Sequence, residues 1–100
     1  MKINGCKVLF LDLQVEKIDD EMFVYNPNEK KIIVFNKTAS LIWEMLTEYH
    51  QISKDITSSI LADRLMETYE INSSEKDIIV SDVEGVIINF FDEKLIERAC

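Results

Sequence analysis

The sequence has few of the residues from which small proteins build catalytic and metal sites. Its 100 residues include two glycines, too few for a glycine-rich phosphate loop, and a single histidine. That histidine, His50, lies in a polar connector, and no zinc or serine-nucleophile motif is present. The acidic cluster at residues 19–21 lacks the spacing of a calcium loop and is interpreted as a solvated loop. We therefore predict a noncatalytic protein without a metal ion or a cofactor.

Cysteine is equally scarce. Cys6 and Cys100 lie at opposite ends of the sequence and form no Cys-x-x-Cys or Cys/His ligand pattern. Small secreted domains usually carry more cysteines in a denser framework. The spacing favours two free thiols in a cytoplasmic protein, with a disulfide between the two ends as the alternative.

Long hydrophobic runs and an excess of positive charge are both absent. No stretch approaches the roughly 18 apolar residues that span a bilayer, and the N-terminus lacks a signal-peptide pattern. The 19 acidic and 11 basic residues give a net charge of −8. Proteins that bind nucleic acid neutralise phosphates with basic residues. We therefore expect neither a membrane nor a nucleic acid as the partner.

The residues that are present predict one α+β domain over residues 1–100. Apolar runs predict strands at residues 6–13, 22–26 and 31–35, with a charged loop at residues 16–21. The sequence Pro27-Asn28 favours a turn between the second and third strands. Helical periodicity predicts helices at residues 37–48, 54–69 and 74–93, with Ser53 as a candidate cap of the second helix. The predicted order is a three-stranded antiparallel sheet followed by three helices, the last two arranged like a helix-turn-helix.

Two of these elements suggest a binding surface. The third helix is acidic, since residues 73–93 hold six acids and one base, Lys76, so it is a poor match for DNA. The third strand comes last in the sheet and is apolar on both faces, which is typical of an edge strand that an extended peptide completes. The alternative is that the sheet and the helix cover each other.

The sequence also resembles a known family. The run VYNPNEKKIIVFNKTASLIWEML is similar to PqqD-like proteins, also described as recognition elements for ribosomally synthesised and post-translationally modified peptides. The shared features are the hairpin, Phe35-Asn36, the small residues after it and Ile42-Trp43, and the resemblance covers about residues 8–96. Two departures are residues 48–51, where the family often has a glycine-containing connector, and Lys94, where it often has glycine.

The resemblance implies a winged-helix-like fold and a function. In the family, the leader segment of a precursor peptide adds as an antiparallel strand to the third strand and lies against the third helix. The protein then presents the precursor to a modifying enzyme, such as a radical SAM enzyme or a lasso-peptide protease and cyclase. Carried onto this sequence, the docking strand is Lys31, Ile32, Ile33, Val34 and Phe35, and the groove wall is Ile79, Val80, Val83, Glu84 and Ile87. The alternatives are a winged-helix regulatory or protein-interaction domain, and a homodimer formed through the edge strand.

Overall fold

Six strands and three helices make up the structure, a computed structural model that describes all 100 residues. One antiparallel sheet has the order β1-β2-β6, and a second has the order β3-β4-β5. The strands are β1 (Lys2–Ile3), β2 (Cys6–Phe10), β3 (Gln14–Ile18), β4 (Glu21–Asn26), β5 (Lys31–Phe35) and β6 (Ile96–Ala99). The helices are α1 (Lys37–Gln51), α2 (Ser58–Tyr69) and α3 (Lys76–Asp92). The predicted α+β class, with a three-stranded antiparallel sheet followed by three helices, is confirmed.

The membership of the hairpin sheet differs from the prediction. The predicted strand 6–13 ends at Phe10, as β2, and belongs to the other sheet. Its place beside β4 is taken by β3, which occupies the first half of the predicted loop 16–21. Because β3 is an exposed edge strand, its charged residues do not have to be buried. Lys17 instead donates a hydrogen bond to Glu44 on α1 at 2.8 Å, and this bond raises the pKa of Lys17.

The predicted hairpin turn is tied to the end of α3 through Asn26. Its side chain is 1% exposed, and its amide group donates to the carbonyl oxygen of Lys94 at 3.0 Å. Its side-chain oxygen accepts from the backbone N–H groups of Asn28 and Glu29. One buried amide therefore orders the turn before β5 and fixes it beside α3.

The substitution Asn26→Ala is expected to lower the free energy of unfolding by about 1–3 kcal/mol, because it removes three hydrogen bonds made by a buried side chain. Urea denaturation followed by circular dichroism would measure this change. Asn28→Ala is the control, since Asn28 is exposed and contributes only its backbone N–H to the network. Equal stability of the two variants would contradict this role for Asn26.

Side chains cap the first two helices. Asn36 accepts a hydrogen bond from the N–H of Ala39 at the start of α1, and Thr57 accepts one from Ile60 at the start of α2. The second helix therefore begins at Ser58, and not at residue 54 after a Ser53 cap as predicted. The reason is that the segment before it is extended: the N–H of Ile56 donates to Lys2 and its carbonyl oxygen accepts from Asn4. The other helices also differ in length, since α1 continues to Gln51 and α3 begins at Lys76 after a short 3-10 turn at Ser73–Glu75.

The final strand, β6, was not predicted, and it changes the state of the cysteines. Lys94 takes a left-handed conformation after α3, with φ of 59°, and the buried Leu95 and Ile96 lead the chain back along β2. The β2–β6 register brings Cys6 and Cys100 together as a disulfide, with their Cα atoms 4.5 Å apart. The prediction of two free thiols is wrong, because the pairing depends on a contact between residues 94 positions apart.

None of the three helices is long and apolar enough to cross a membrane.

Candidate functional site

One edge of the hairpin sheet is open. The sheet order β3-β4-β5 leaves β5 paired with β4 on one side only. Ile32 and Val34 point to the outer face of the sheet and are 65% and 52% exposed, whereas Ile33 is half-buried and Phe35 is buried on the inner face. The open backbone edge therefore belongs to a strand that is apolar on both faces.

The C-terminal half of α3 lies beside β5. The rings of Phe35 and Phe90 are 4.9 Å apart between centroids, and Nζ of Lys31 is 2.7 Å from Oε2 of Glu93. Trp43 of α1 packs beneath both aromatic rings, at 5.8 Å from Phe35 and 5.3 Å from Phe90. We call the surface between the open edge of β5 and the adjacent flank of α3 the groove. The edge and the flank are its two walls, and the buried aromatic residues beneath it are its floor.

The position of Glu93 identifies which flank of α3 faces β5. A helix turns by about 100° per residue, so residues three or four positions apart share a flank. The residues that share a flank with Glu93 are Asp82, Val86 and Asn89, and we call these four residues the β5-side flank. Asp82 and Asn89 are exposed, and Val86 is half-buried. This wall of the groove is therefore mostly polar, in contrast to its aromatic floor.

A cavity of about 140 Å³ lies between the first turns of α1, the end of α2 and the N-terminal half of α3. Thr38 of α1, Tyr69 at the end of α2, and Ile79 and Asp82 of α3 are among its lining residues. The remaining lining is apolar and is formed by Ile42, Leu65, Ile71 and Val83. The cavity is an apolar pocket with one carboxylate, next to the end of the groove.

The residues predicted for the docking strand and the groove wall do not all lie together in the structure. Lys31 to Phe35 do form the open strand, and Ile79 lines the cavity. Val83 and Ile87 are buried in the core, and Val80 is half-buried against it. Glu84 lies on the opposite flank of α3, with Arg98 and Phe91, in a second cavity of about 310 Å³ beside β1, β2 and β6.

Sequence reasoning missed the β5-side flank. The helical pattern shows that Asp82, Val86, Asn89 and Glu93 share one flank and that Glu84 lies on another. It does not show which flank faces β5, because that depends on how α3 packs on the sheet. The only signal in the sequence for the flank that faces β5 is the opposite charge of Lys31 and Glu93, which lie 62 positions apart.

The outer face of the hairpin sheet is a further exposed apolar surface. Phe23 lies opposite Val34, and Tyr25 lies opposite Ile32, so that aromatic and aliphatic side chains alternate across β4 and β5. Ile18 of β3 is also exposed on this face. A strand that adds to β5 would therefore extend an apolar row on its outer side.

These features define a class of protein. An open apolar edge strand beside a helix-walled groove is typical of domains that bind an extended peptide by strand addition. The chain matches the family described as Coenzyme PQQ synthesis protein D (PqqD) over residues 21–96, and it belongs to that family. No curated protein and no solved structure matches it.

The family match includes the whole of the groove. It begins at the first residue of β4 and ends at the first residue of β6, so it covers the hairpin and all three helices. The predicted resemblance to PqqD-like proteins is confirmed. Members of this family are accessory proteins of PQQ-type peptide biosynthesis, in which they bind the precursor peptide and act together with modifying enzymes.

Proposed function

We propose that this chain is a noncatalytic adaptor that binds the leader of a ribosomally made precursor peptide by strand addition to β5. The observation that carries the proposal is the unpaired edge of β5 beside the β5-side flank of α3. In this proposal the peptide runs antiparallel to β5, through the groove above Phe35 and Phe90. The docking strand remains Lys31 to Phe35, and the wall of the groove becomes the β5-side flank with Ile79.

Backbone pairing supplies only part of the affinity. A strand of five residues presents about four outward hydrogen-bonding groups to an antiparallel partner. At a net value of about 1 kcal/mol each, these bonds give less than the roughly 8 kcal/mol that a micromolar complex requires. Side chains of the peptide must therefore bury surface in the groove and on the outer face, and these contacts provide the specificity.

The modifying enzyme in this proposal is of the radical SAM type, in keeping with the PQQ family, or a lasso-peptide protease and cyclase. The adaptor acts in the cytoplasm, where the precursor is synthesised. A regulatory domain that binds DNA is disfavoured, because α3 is acidic on both flanks beside the core. A second copy of the chain, paired through its own β5 in a homodimer, is the competing occupant of the same edge.

Peptide selection followed by residue-level amide hydrogen exchange would test strand addition. A phage-displayed library of peptides about a dozen residues long is panned on the immobilised protein. Strand addition to β5 buries about four backbone groups, so we expect slower exchange at alternate amides of residues 31–35 when a selected peptide binds. The other open edge of the same sheet, β3, is the internal control and should not change.

Two results would count against the proposal. One is a selection that yields no peptide above background, and the other is protection of β3 or of the β1-β2-β6 sheet in place of β5. Exchange of the free protein at several concentrations tests the homodimer. Protection of β5 that increases with protein concentration would identify a second copy as the occupant.

A further inference from the structure

We propose that Asp82 determines specificity by binding a lysine or arginine side chain of the peptide, whose aliphatic stem fills the cavity beside it. The inference rests on strand addition to β5, and it adds the chemistry of one bound side chain. With an antiparallel peptide, we expect the basic residue near the N-terminal end of the paired segment, because Thr38, which lines the cavity, follows the C-terminal end of β5 by three residues.

The shape and lining of the cavity fit such a side chain. Its volume is about 140 Å³, and its walls are mainly apolar, with Asp82 among the few polar groups. Lysine and arginine place an apolar stem against apolar surface and keep the charged group in a polar environment. A fully apolar side chain would contact the walls but gain nothing from the carboxylate, whereas a short polar one would leave the walls unfilled.

The charge of Asp82 is available to a ligand. Its side chain is exposed and takes part in none of the ion pairs of the structure. Lys31, the first residue of β5, pairs with Glu93. Nζ of Lys37 lies 5.8 Å from the centroid of the Tyr69 ring, which lines the same cavity, but Lys37 forms no ion pair with Asp82. A cation from the peptide would therefore meet a carboxylate that is in no ion pair.

The opposite flank of α3 provides a matched comparison. Glu84 is also exposed and unpaired, lies two residues from Asp82 on the same helix, and contributes the same charge to the whole protein. It lies in the second cavity, beside Arg98, away from β5. General attraction between the protein, with its net charge of −8, and a basic peptide is reduced equally by either substitution. Only local recognition distinguishes the two positions.

The experiment repeats the peptide selection on three proteins: the parent, Asp82→Lys and Glu84→Lys. We expect the parent and Glu84→Lys to enrich lysine or arginine at one position near the N-terminal end of the paired segment. Asp82→Lys should lose this enrichment or reverse it toward acidic residues. Each variant is first compared with the parent by circular dichroism and thermal melting, so that only folded protein enters the selection.

The measurement of affinity then uses a selected peptide and its analogue in which norleucine replaces the enriched lysine. Norleucine keeps the apolar stem and removes the charge. We expect about a tenfold weaker complex for the analogue, a similar loss for Asp82→Asn with the original peptide, and little further loss when the two changes are combined. Glu84→Gln should change the affinity of the original peptide less than twofold.

The outcomes separate this inference from the proposed function. Peptides that protect β5 but carry no enriched basic residue, or equal losses for Asp82→Asn and Glu84→Gln, would overturn the role of Asp82 and leave strand addition standing. Fully additive losses in the combined experiment would also overturn it. A selection without binders, or without protection of β5, overturns strand addition itself.

Discussion

Val34→Pro is expected to lower peptide affinity roughly 100-fold while the protein remains folded. Asn26 and Lys31 form the pair that closes the hairpin, and hydrogen-bonded pairs alternate with non-hydrogen-bonded pairs along an antiparallel ladder. If the closing pair is taken as hydrogen-bonded, Ile33 donates toward β4 and Val34 donates toward the open edge. Proline removes that outward donor, displaces its neighbour and leaves a carbonyl group of the peptide unpaired, and a total loss of about 3 kcal/mol corresponds to roughly 100-fold in affinity.

Ile33→Pro is the matched control for this prediction. It is one residue away on the same strand, but it removes a donor toward β4, so its main effect should be a lower melting temperature. Titration calorimetry with a selected peptide, together with thermal melting of each variant, separates the two effects. Unchanged affinity in a folded Val34→Pro protein would contradict strand addition to β5.

Loss of the Cys6–Cys100 disulfide is expected to lower the melting temperature by roughly 15–40 °C. The bond joins residues 94 positions apart, and a loop of this length restricts the unfolded chain by about 4–5 kcal/mol on the chain-entropy account. The total stability of a domain is only about 5–15 kcal/mol, and in a domain of this size each kcal/mol shifts the melting temperature by about 4–8 °C. The native fold itself should persist, because Leu95 and Ile96 anchor β6 in the core.

Differential scanning calorimetry of the parent, with and without dithiothreitol, and of the double variant Cys6→Ser, Cys100→Ser would measure this effect. The reduced parent and the double variant should melt at about the same temperature, and dithiothreitol should not affect the double variant. The disulfide lies on the side of α3 away from β5, so the folded double variant should bind a selected peptide as the parent does. A parent protein whose melting is insensitive to the reductant would contradict the stabilising role of the bond.

The disulfide also bears on where the protein works. Disulfides are uncommon in the cytoplasm, because thiol reductants keep cysteines reduced there. If the adaptor acts in the cytoplasm, as proposed, its cysteines are expected to be reduced there. It should then melt at the lower temperature expected for the protein without the disulfide. The stability of this protein would then depend on the redox state of its surroundings.

The hairpin and the first helix were predictable from local chemistry. The turn at Pro27-Asn28 and the apolar runs on either side determine β4 and β5, and the observed bounds of β5 agree with the predicted strand. The start of α1 follows from the cap that Asn36 provides. These elements depend on neighbouring residues, so a single sequence contains the information that specifies them.

The two elements that were missed have different causes. The strand β3 is charged and exposed, and it pairs with β4 across a two-residue turn at residues 19–20, so the pattern of apolar residues did not reveal this local hairpin. Residues 54–57 are extended, and not helical, because Ile56 hydrogen-bonds to Lys2 and Asn4. Only in the second place does a contact with a distant segment override the local preference of the residues.

Some features of the candidate site were also predictable from the sequence, and others depend on the tertiary structure. The sequence by itself determined an apolar strand at residues 31–35, an acidic third helix, and a resemblance that the family match confirms. Only the tertiary structure decided that this strand is an open edge, that Asp82 faces the groove while Glu84 faces away, and that Cys6 meets Cys100. Periodicity specifies which side chains share a face of an element, but the face that meets a neighbour is determined by the packing of the whole chain around one core.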